Sequence, residues 1–141
     1  MTERIFEHTV RIYFEDTDAG GIVYHANYLG FMERARGEML RELGFEQNVM
    51  MTENNPLIVV SKIEIHYRRP AKLDDLLTIR TRITSLRRAS AVFEQTILRG
   101  DEVLVTASVR CASIDPVKGI PVTMYGPIYE AMAEAAGIAV D

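Results

Sequence analysis

The sequence predicts an α+β fold: one long amphipathic helix against an antiparallel sheet of about five strands, with a short C-terminal helix. Three observations lead there. Only one long stretch, Asn27 to Leu43, carries apolar residues at helical spacing. Four segments between Leu57 and Ile114 alternate apolar and polar residues, separated by short turns. No helical pattern falls between those segments, so the strands pair as an antiparallel meander rather than through parallel crossovers. One helix on one sheet is a two-layer architecture.

The elements follow in order. Ile5 to Phe14 reads as the first strand, with Phe6, His8, Val10, Ile12 and Phe14 on one side and Glu7, Thr9, Arg11 and Tyr13 on the other. The alternation stops at Glu15-Asp16-Thr17-Asp18, and Gly20, Gly21 and His25 precede the helix. Within the helix Tyr28, Phe31, Met32, Ala35, Met39 and Leu43 share a stripe. Asn27 is the expected N-cap and Gly44 the expected stop. Gly30 and Gly37 weaken an exposed helix, so another backbone or a ligand is expected close by. A loop through Asn54-Asn55-Pro56 leads to Leu57–Tyr67, with Val59, Ile63, Ile65 and Tyr67 on one face. Leu77, Ile79 and Ile83 mark the next strand, Phe93 and Ile97 the one after, and Val105, Ala107, Val109 and Cys111 the last. Gly100-Asp101 is the turn between the last two. Pro127 opens a short Ala-rich helix that runs to about Ala136.

Residues 1–141 suit a single domain, and 48% hydrophobic with 26% charged residues is the balance of a globular chain. A net charge of −4 argues against general nucleic-acid binding. No apolar run approaches the roughly 18 residues of a membrane span, and the first residues lack a signal peptide's apolar core. Cys111 is the only cysteine, which excludes an intrachain disulfide and fits a reduced, cytoplasmic setting. Arg68, Arg69, Lys72, Arg80, Arg82, Arg87 and Arg88 form a locally basic region. It is either a set of solvated strand faces or a patch for a phosphorylated ligand. Apolar residues on both faces of Leu57 to Val60 predict burial of that strand in a dimer or larger assembly.

The stretch EDTDAGGIVYHANYLGFMERAR, Glu15 to Arg36, closely resembles the acyl-CoA thioesterases of the hydroxybenzoyl-CoA thioesterase type, and most of all their Tol-Pal-associated branch. YRRPAKLDDLLTIRTRITSLRRAS, Tyr67 to Ser90, and the later SVRCASIDPVKGIPV extend the resemblance over nearly the whole chain. It implies the hotdog fold, in which a curled sheet wraps the long helix. It also implies dimers with a continuous sheet, active sites at the dimer interface, and a homotetramer. No cofactor or metal is implied. The implied substrate is an acyl-CoA or an acyl carrier protein thioester, with a place in lipid metabolism and peripheral association with the membrane.

Carried over from the resemblance, Asp18 is the nucleophile or the general base that activates water. The backbone N–H of His25, at the positive end of the helix, is the oxyanion donor. The His25 side chain is assigned to catalysis in the same branch, and its ordinary pKa of about 6.5 suits proton transfer; alternatively it caps the helix or bonds Asp16. The implied oxyanion and acyl pocket involves Gly21, Ile22, Val23, Tyr24, Tyr28, Phe31 and Val59. Arg87 and Arg88, then Arg68, Arg69 and Lys72, are candidates for the phosphates of coenzyme A. Several relatives carry a tyrosine where this chain has Phe14, which cannot donate a hydrogen bond. Glu15 and Asp16 read as turn or capping residues.

Rival readings carry less. Asp16 and Asp18 are spaced as in a haloacid dehalogenase phosphatase, but Gly20 stands where that motif wants threonine and the alternating helices are missing. A metal hydrolase on Asp16, Asp18 and His25 lacks a second nearby histidine. A non-catalytic acyl-CoA or acyl-carrier-protein binding or scaffold module is the serious alternative. It has no need of a carboxylate at the glycine turn.

Overall fold

A computed structural model describes residues 3–53 and 55–138. In chain order the elements are β1 (Phe6–Arg11), a 3-10 turn (Phe14–Asp16), α1 (Asn27–Glu42), α2 (Gln47–Thr52), β2 (Leu57–Tyr67), β3 (Leu76–Arg87), β4 (Ser90–Arg99), β5 (Glu102–Ile114) and α3 (Gly126–Ala136). All four strand pairings are antiparallel, in the order β1-β3-β4-β5-β2. The α+β arrangement expected from the sequence is observed, and it is the hotdog arrangement that the resemblance implies. The meander holds only for β3-β4-β5: β2 pairs with β5 and not with β3, because the link at residues 68–75 is too long for a tight hairpin turn. β1 and β2, joined through α1 and α2, stand at opposite edges of the sheet. No helix of the described residues is long and apolar enough to cross a membrane.

Helix α1 buries Tyr28, Phe31, Met32, Ala35, Met39 and Leu40. They share one core cluster with Leu77, Ile79, Ile83, Phe93, Ile97, Val105 and Val109 from the strands. Gly30 and Gly37 cost the helix about 1 kcal/mol each relative to alanine. Burying a large apolar side chain returns about 1.5–3 kcal/mol, so the stripe outweighs them. A methyl group added to either glycine would meet nothing within 4 Å in this chain, so no other segment of the same chain makes the close approach. At the C-terminus Gly44 takes φ +100 and its N–H bonds the Arg41 carbonyl, ending the helix as predicted.

The N-terminus differs. Ala26, not Asn27, occupies the N-cap position, and no side chain caps the helix. Asn27 is the first helical residue, and its Nδ2 donates instead to the Asp16 carbonyl at 3.4 Å. The first N–H groups of α1 therefore lack a side-chain acceptor.

Four other expectations shift. β1 ends at Arg11, and Phe14 lies in the 3-10 turn, so Tyr13 and Phe14 are both outside the strand and 64% and 81% exposed. Asp16 closes that turn by accepting the Tyr13 N–H at 2.9 Å. A register shift between Val60 and Lys62 puts Val60, opposite Cys111, on the face of Ile63 and Ile65, while Val59 pairs with Ala112 on the other face. A second shift, between Ile83 and Ser85, carries β3 on to Arg87, beyond the alternation read from the sequence. Finally, Gln47–Thr52 is helical where a loop was expected; one buried residue, Met50, anchors a segment too short to display a period.

Among the described residues three polar side chains are buried, Thr81, Gln95 and Ser113, and Gln95 organises a network. Gln95 is 1% exposed; its Nε2 donates to the Met32 carbonyl and to Thr81 Oγ1, each at 3.0 Å, and its Oε1 accepts from Arg36 at 2.9 Å. Burial holds the Arg36 guanidinium below its ordinary pKa. Gln95→Leu removes these bonds and orphans buried partners. It is expected to cost about 2–3 kcal/mol, read as a lower urea midpoint at unchanged slope.

Candidate active site

The link between β1 and α1 is a small hairpin. Thr17 bridges Val23, the Asp18 N–H donates to the Ile22 carbonyl, and the Gly21 N–H donates to the Asp18 carbonyl, both at 3.0 Å. Asp18 also accepts the Gly20 N–H on Oδ1 at 3.0 Å, an Asx turn that orients its carboxylate. Of the two glycines only Gly21 needs to be one, with φ +76.

A second segment, distant in sequence, holds this hairpin from the side. Ile22 bridges Lys72, the Val23 N–H donates to the Ala71 carbonyl at 2.9 Å, and the Leu73 N–H to the Gly21 carbonyl at 3.3 Å. That segment is itself pinned. Asp74, at φ +73, donates its N–H to the Ile12 carbonyl, and the Ile12 N–H donates to the Asp75 carbonyl. Asp75 Oδ2 accepts the Lys72 N–H at 2.8 Å and pairs with Arg99 at 2.7 Å. Arg99 also pairs with Glu102 at 2.8 Å, and Glu102 with Arg69 at 3.2 Å. Burial opposes ionisation of Asp75, but the Lys72 N–H and the Arg99 guanidinium outweigh it and hold its carboxyl below its ordinary pKa.

Between hairpin and sheet lies a cleft of about 330 Å³, lined by Ile22, Val23, His25, Tyr28, Tyr67, Arg68, Arg69 and Pro70. That volume is at the small end for ligand pockets, so one chain encloses only part of an extended ligand. Its floor is Tyr28, which is buried and whose hydroxyl accepts the Ala71 N–H at 3.0 Å. Burial raises the Tyr28 phenol above its ordinary pKa and keeps it neutral. His25 stands at the mouth, its ring against Tyr24 at 4.7 Å and edge-on to Tyr67 at 6.2 Å. Its carbonyl accepts the Tyr67 hydroxyl at 3.0 Å, while its N–H has no acceptor among the described residues. An unpaired N–H beside an uncapped helix start is a ready donor to an anionic oxygen. Arginines on the rim suit phosphate or carboxylate.

The structure gathers Ile22, Val23, His25, Tyr28, Arg68 and Arg69 into this cleft. Gly21 and Lys72 belong to the two paired segments, Tyr24 flanks His25, and Phe31 packs edge-on behind Tyr28. Asp18 opens the adjoining turn, exposed in the single chain. Other residues lie elsewhere. Val59 sits eight positions before Tyr67 on β2, about 25 Å along the strand. Arg87 and Arg88 are at the β3–β4 turn, about 35 Å along β3 from its cleft end. The Arg88 guanidinium lies over the Tyr129 ring at 5.0 Å.

A family profile described as the thioesterase superfamily matches residues 20–106. The chain belongs to the thioesterase superfamily. This thioesterase is a thioester hydrolase by class. It is 48% identical over 122 residues to the acyl-CoA thioester hydrolase YbgC of Escherichia coli O6:H1, covering 86% of this chain and 90% of that one. The acyl-CoA thioesterase YbgC of Haemophilus influenzae is 45% identical over the same shares. A probable thioesterase of Bartonella henselae, known by crystal structure, superposes with a TM-score of 0.81 at 42% identity, covering 86% of this chain and 99% of that one.

Sequence reasoning treated Tyr67 as one more strand residue and missed its place in the cleft. The available signal was a tyrosine at the last position of a strand, three residues before Pro70. It also missed Asp75 and Arg99, whose pairing joins distant segments.

The Asp75–Arg99 pair makes a pH-dependent prediction. Because the folded pKa of Asp75 is depressed, its contribution is fully present above the unfolded value of about 3.9 and is lost as pH falls through the lower folded value. Thermal unfolding between about pH 7 and pH 3 is expected to show an acid-side loss of stability. Asp75→Asn is expected to start with a lower Tm at neutral pH and to show a smaller acid-side loss.

Proposed function

We propose that this thioesterase hydrolyses acyl-CoA to the free acid and coenzyme A. The observation that carries the reading is the His25 N–H: it has no acceptor among the described residues, lies at the uncapped start of α1, and borders the cleft next to the Asp18 turn. The naming of the YbgC relatives as acyl-CoA thioesterases supports the substrate.

In this reading the thioester carbonyl oxygen faces the His25 N–H, where one donor is worth roughly 2.7–4 kcal/mol in the transition state of other hydrolases. Asp18 removes a proton from the attacking water, or attacks the carbonyl and forms an anhydride that water then opens. The His25 imidazole returns a proton to the departing thiolate. Ile22, Val23, Tyr28 and Phe31 receive the start of the acyl group, and Arg68, Arg69 and Lys72 take phosphate.

The cleft of one chain is small, and β2 is an edge strand with Val60 and Tyr67 44% and 46% exposed. A second copy paired through β2 covers that edge. Antiparallel pairing of β2 with its copy brings the Val59 end of one chain to the Tyr67 end of the other. It also carries the β3–β4 turn, with Arg87 and Arg88, toward the same end. Assembly as a dimer or as a pair of dimers, action in the cytoplasm, and membership of the Tol-Pal-associated branch complete the reading.

Thiol release from a panel of short, long and aromatic acyl-CoAs and from acyl carrier protein thioesters tests it. Asn at position 18 still accepts the Gly20 N–H but is neither base nor nucleophile. Asp18→Asn is therefore expected to keep the Tm within about 2 °C and lose at least about 100-fold in kcat. Full activity in the variant refutes the assignment of Asp18. No thiol release from any substrate by the wild type favours the binding or scaffold module.

A further inference from the structure

We infer that the Tyr67 hydroxyl is a positioning group that holds the His25 backbone, and with it the His25 N–H, against the β2 side of the cleft; the inference rests on the proposed role of that N–H as oxyanion donor. The His25 carbonyl accepts the Tyr67 hydroxyl at 3.0 Å, and His25 precedes the first residue of α1 by two positions. The helix does not take this carbonyl, because the Leu29 N–H bonds the Ala26 carbonyl instead. Tyr67 is thus the only described group that ties the His25 backbone to the sheet.

The neighbouring residues are tied from other directions. The Tyr24 N–H donates to the Asp16 carbonyl, and the Tyr24 carbonyl accepts the Asn27 N–H. The Val23 N–H reaches Ala71, whose own N–H is held by the Tyr28 hydroxyl. The Tyr28 and Tyr67 rings lie 5.6 Å apart, so both phenols share one support. Two tyrosines, one from the helix and one from the end of β2, therefore fix the chain on either side of the donor. Tyr28 does so through Ala71 and Tyr67 directly. The Asn27 N–H orients the Tyr24 carbonyl and hence the peptide plane that carries the His25 N–H, while the Tyr67 bond to the His25 carbonyl sets how close that plane stands to the sheet. Releasing the His25 carbonyl lets the donor shift, and it must meet a developing oxyanion within a few tenths of an ångström.

Tyr67→Phe keeps the ring and removes only the hydrogen bond. It is expected to lower kcat about tenfold while KM stays within about twofold and the Tm is unchanged. The same loss is expected on the best acyl-CoA and on an acyl thioester of a more acidic aryl thiol, because donor placement does not depend on the leaving group. A loss that shrinks with the acidic thiol makes Tyr67 a proton donor and overturns the inference. An unchanged kcat, or a rise in KM alone, overturns it as well. Difluorotyrosine at position 67 preserves packing should the phenylalanine variant fold poorly; its phenol ionises near neutral pH, and kcat is expected to fall on the alkaline side where the wild type holds. A flat alkaline profile overturns the inference. A wild type that hydrolyses, an inactive Asp18→Asn and a fully active Tyr67→Phe refute this inference alone. A wild type that releases no thiol refutes the proposed function with it.

Discussion

The site depends on the backbone hydrogen bonds between the turn at residues 17–23 and the segment at residues 71–75. A short glycine turn in water has no single shape, because few bonds offset the entropy of ordering it. Here Ala71, Lys72 and Leu73 take up Val23, Ile22 and Gly21 as a second strand would. The 71–75 segment in turn includes Asp74 at positive φ, a conformation that costs about 1–2 kcal/mol for a residue with a Cβ. Bonds to Ile12 and the Asp75–Arg99 pair hold it there. Surface ion pairs commonly contribute little. This one is partly buried, is shared with the Lys72 N–H, and sits at the joint between two loops.

The start of α1 forgoes a side-chain cap. A side-chain cap would satisfy the first N–H groups and stabilise the helix by about 1 kcal/mol. No residue supplies one, and Asn27, the obvious candidate, turns to Asp16. The helix tolerates the omission because burial of its stripe in the sheet supplies far more than a cap does. The result is an electropositive helix end beside a cleft, held by the sheet through Tyr67 and Ala71.

Most of the fold was legible because it follows period. Leu77, Ile79, Phe93, Ile97, Val105 and Val109 are buried as their alternation predicts, and so is the stripe of α1 from Tyr28 to Met39, with Leu40 buried beyond it and Leu43 only half-buried. Several errors occur where the period is interrupted. The bulge near Ser61 moves Val59 off the face of Ile63, the bulge near Thr84 lengthens β3, and the 3-10 turn takes Phe14 out of β1. A bulge is an insertion in register, and only the partner strand reveals it.

By itself the sequence determined the layer architecture, the helix stop at Gly44, and a carboxylate at a glycine turn ahead of a helix. Each follows from local spacing or from one residue's conformational preference. The tertiary structure decided which N–H stays unpaired, which tyrosine reaches the His25 carbonyl, and which arginines border the cleft. Arg68 and Arg69 look much like Arg87 and Arg88 in the sequence, yet they stand at opposite ends of the sheet. Hydrogen bonds and ion pairs between distant segments leave no periodic trace, so only the folded chain could choose between them.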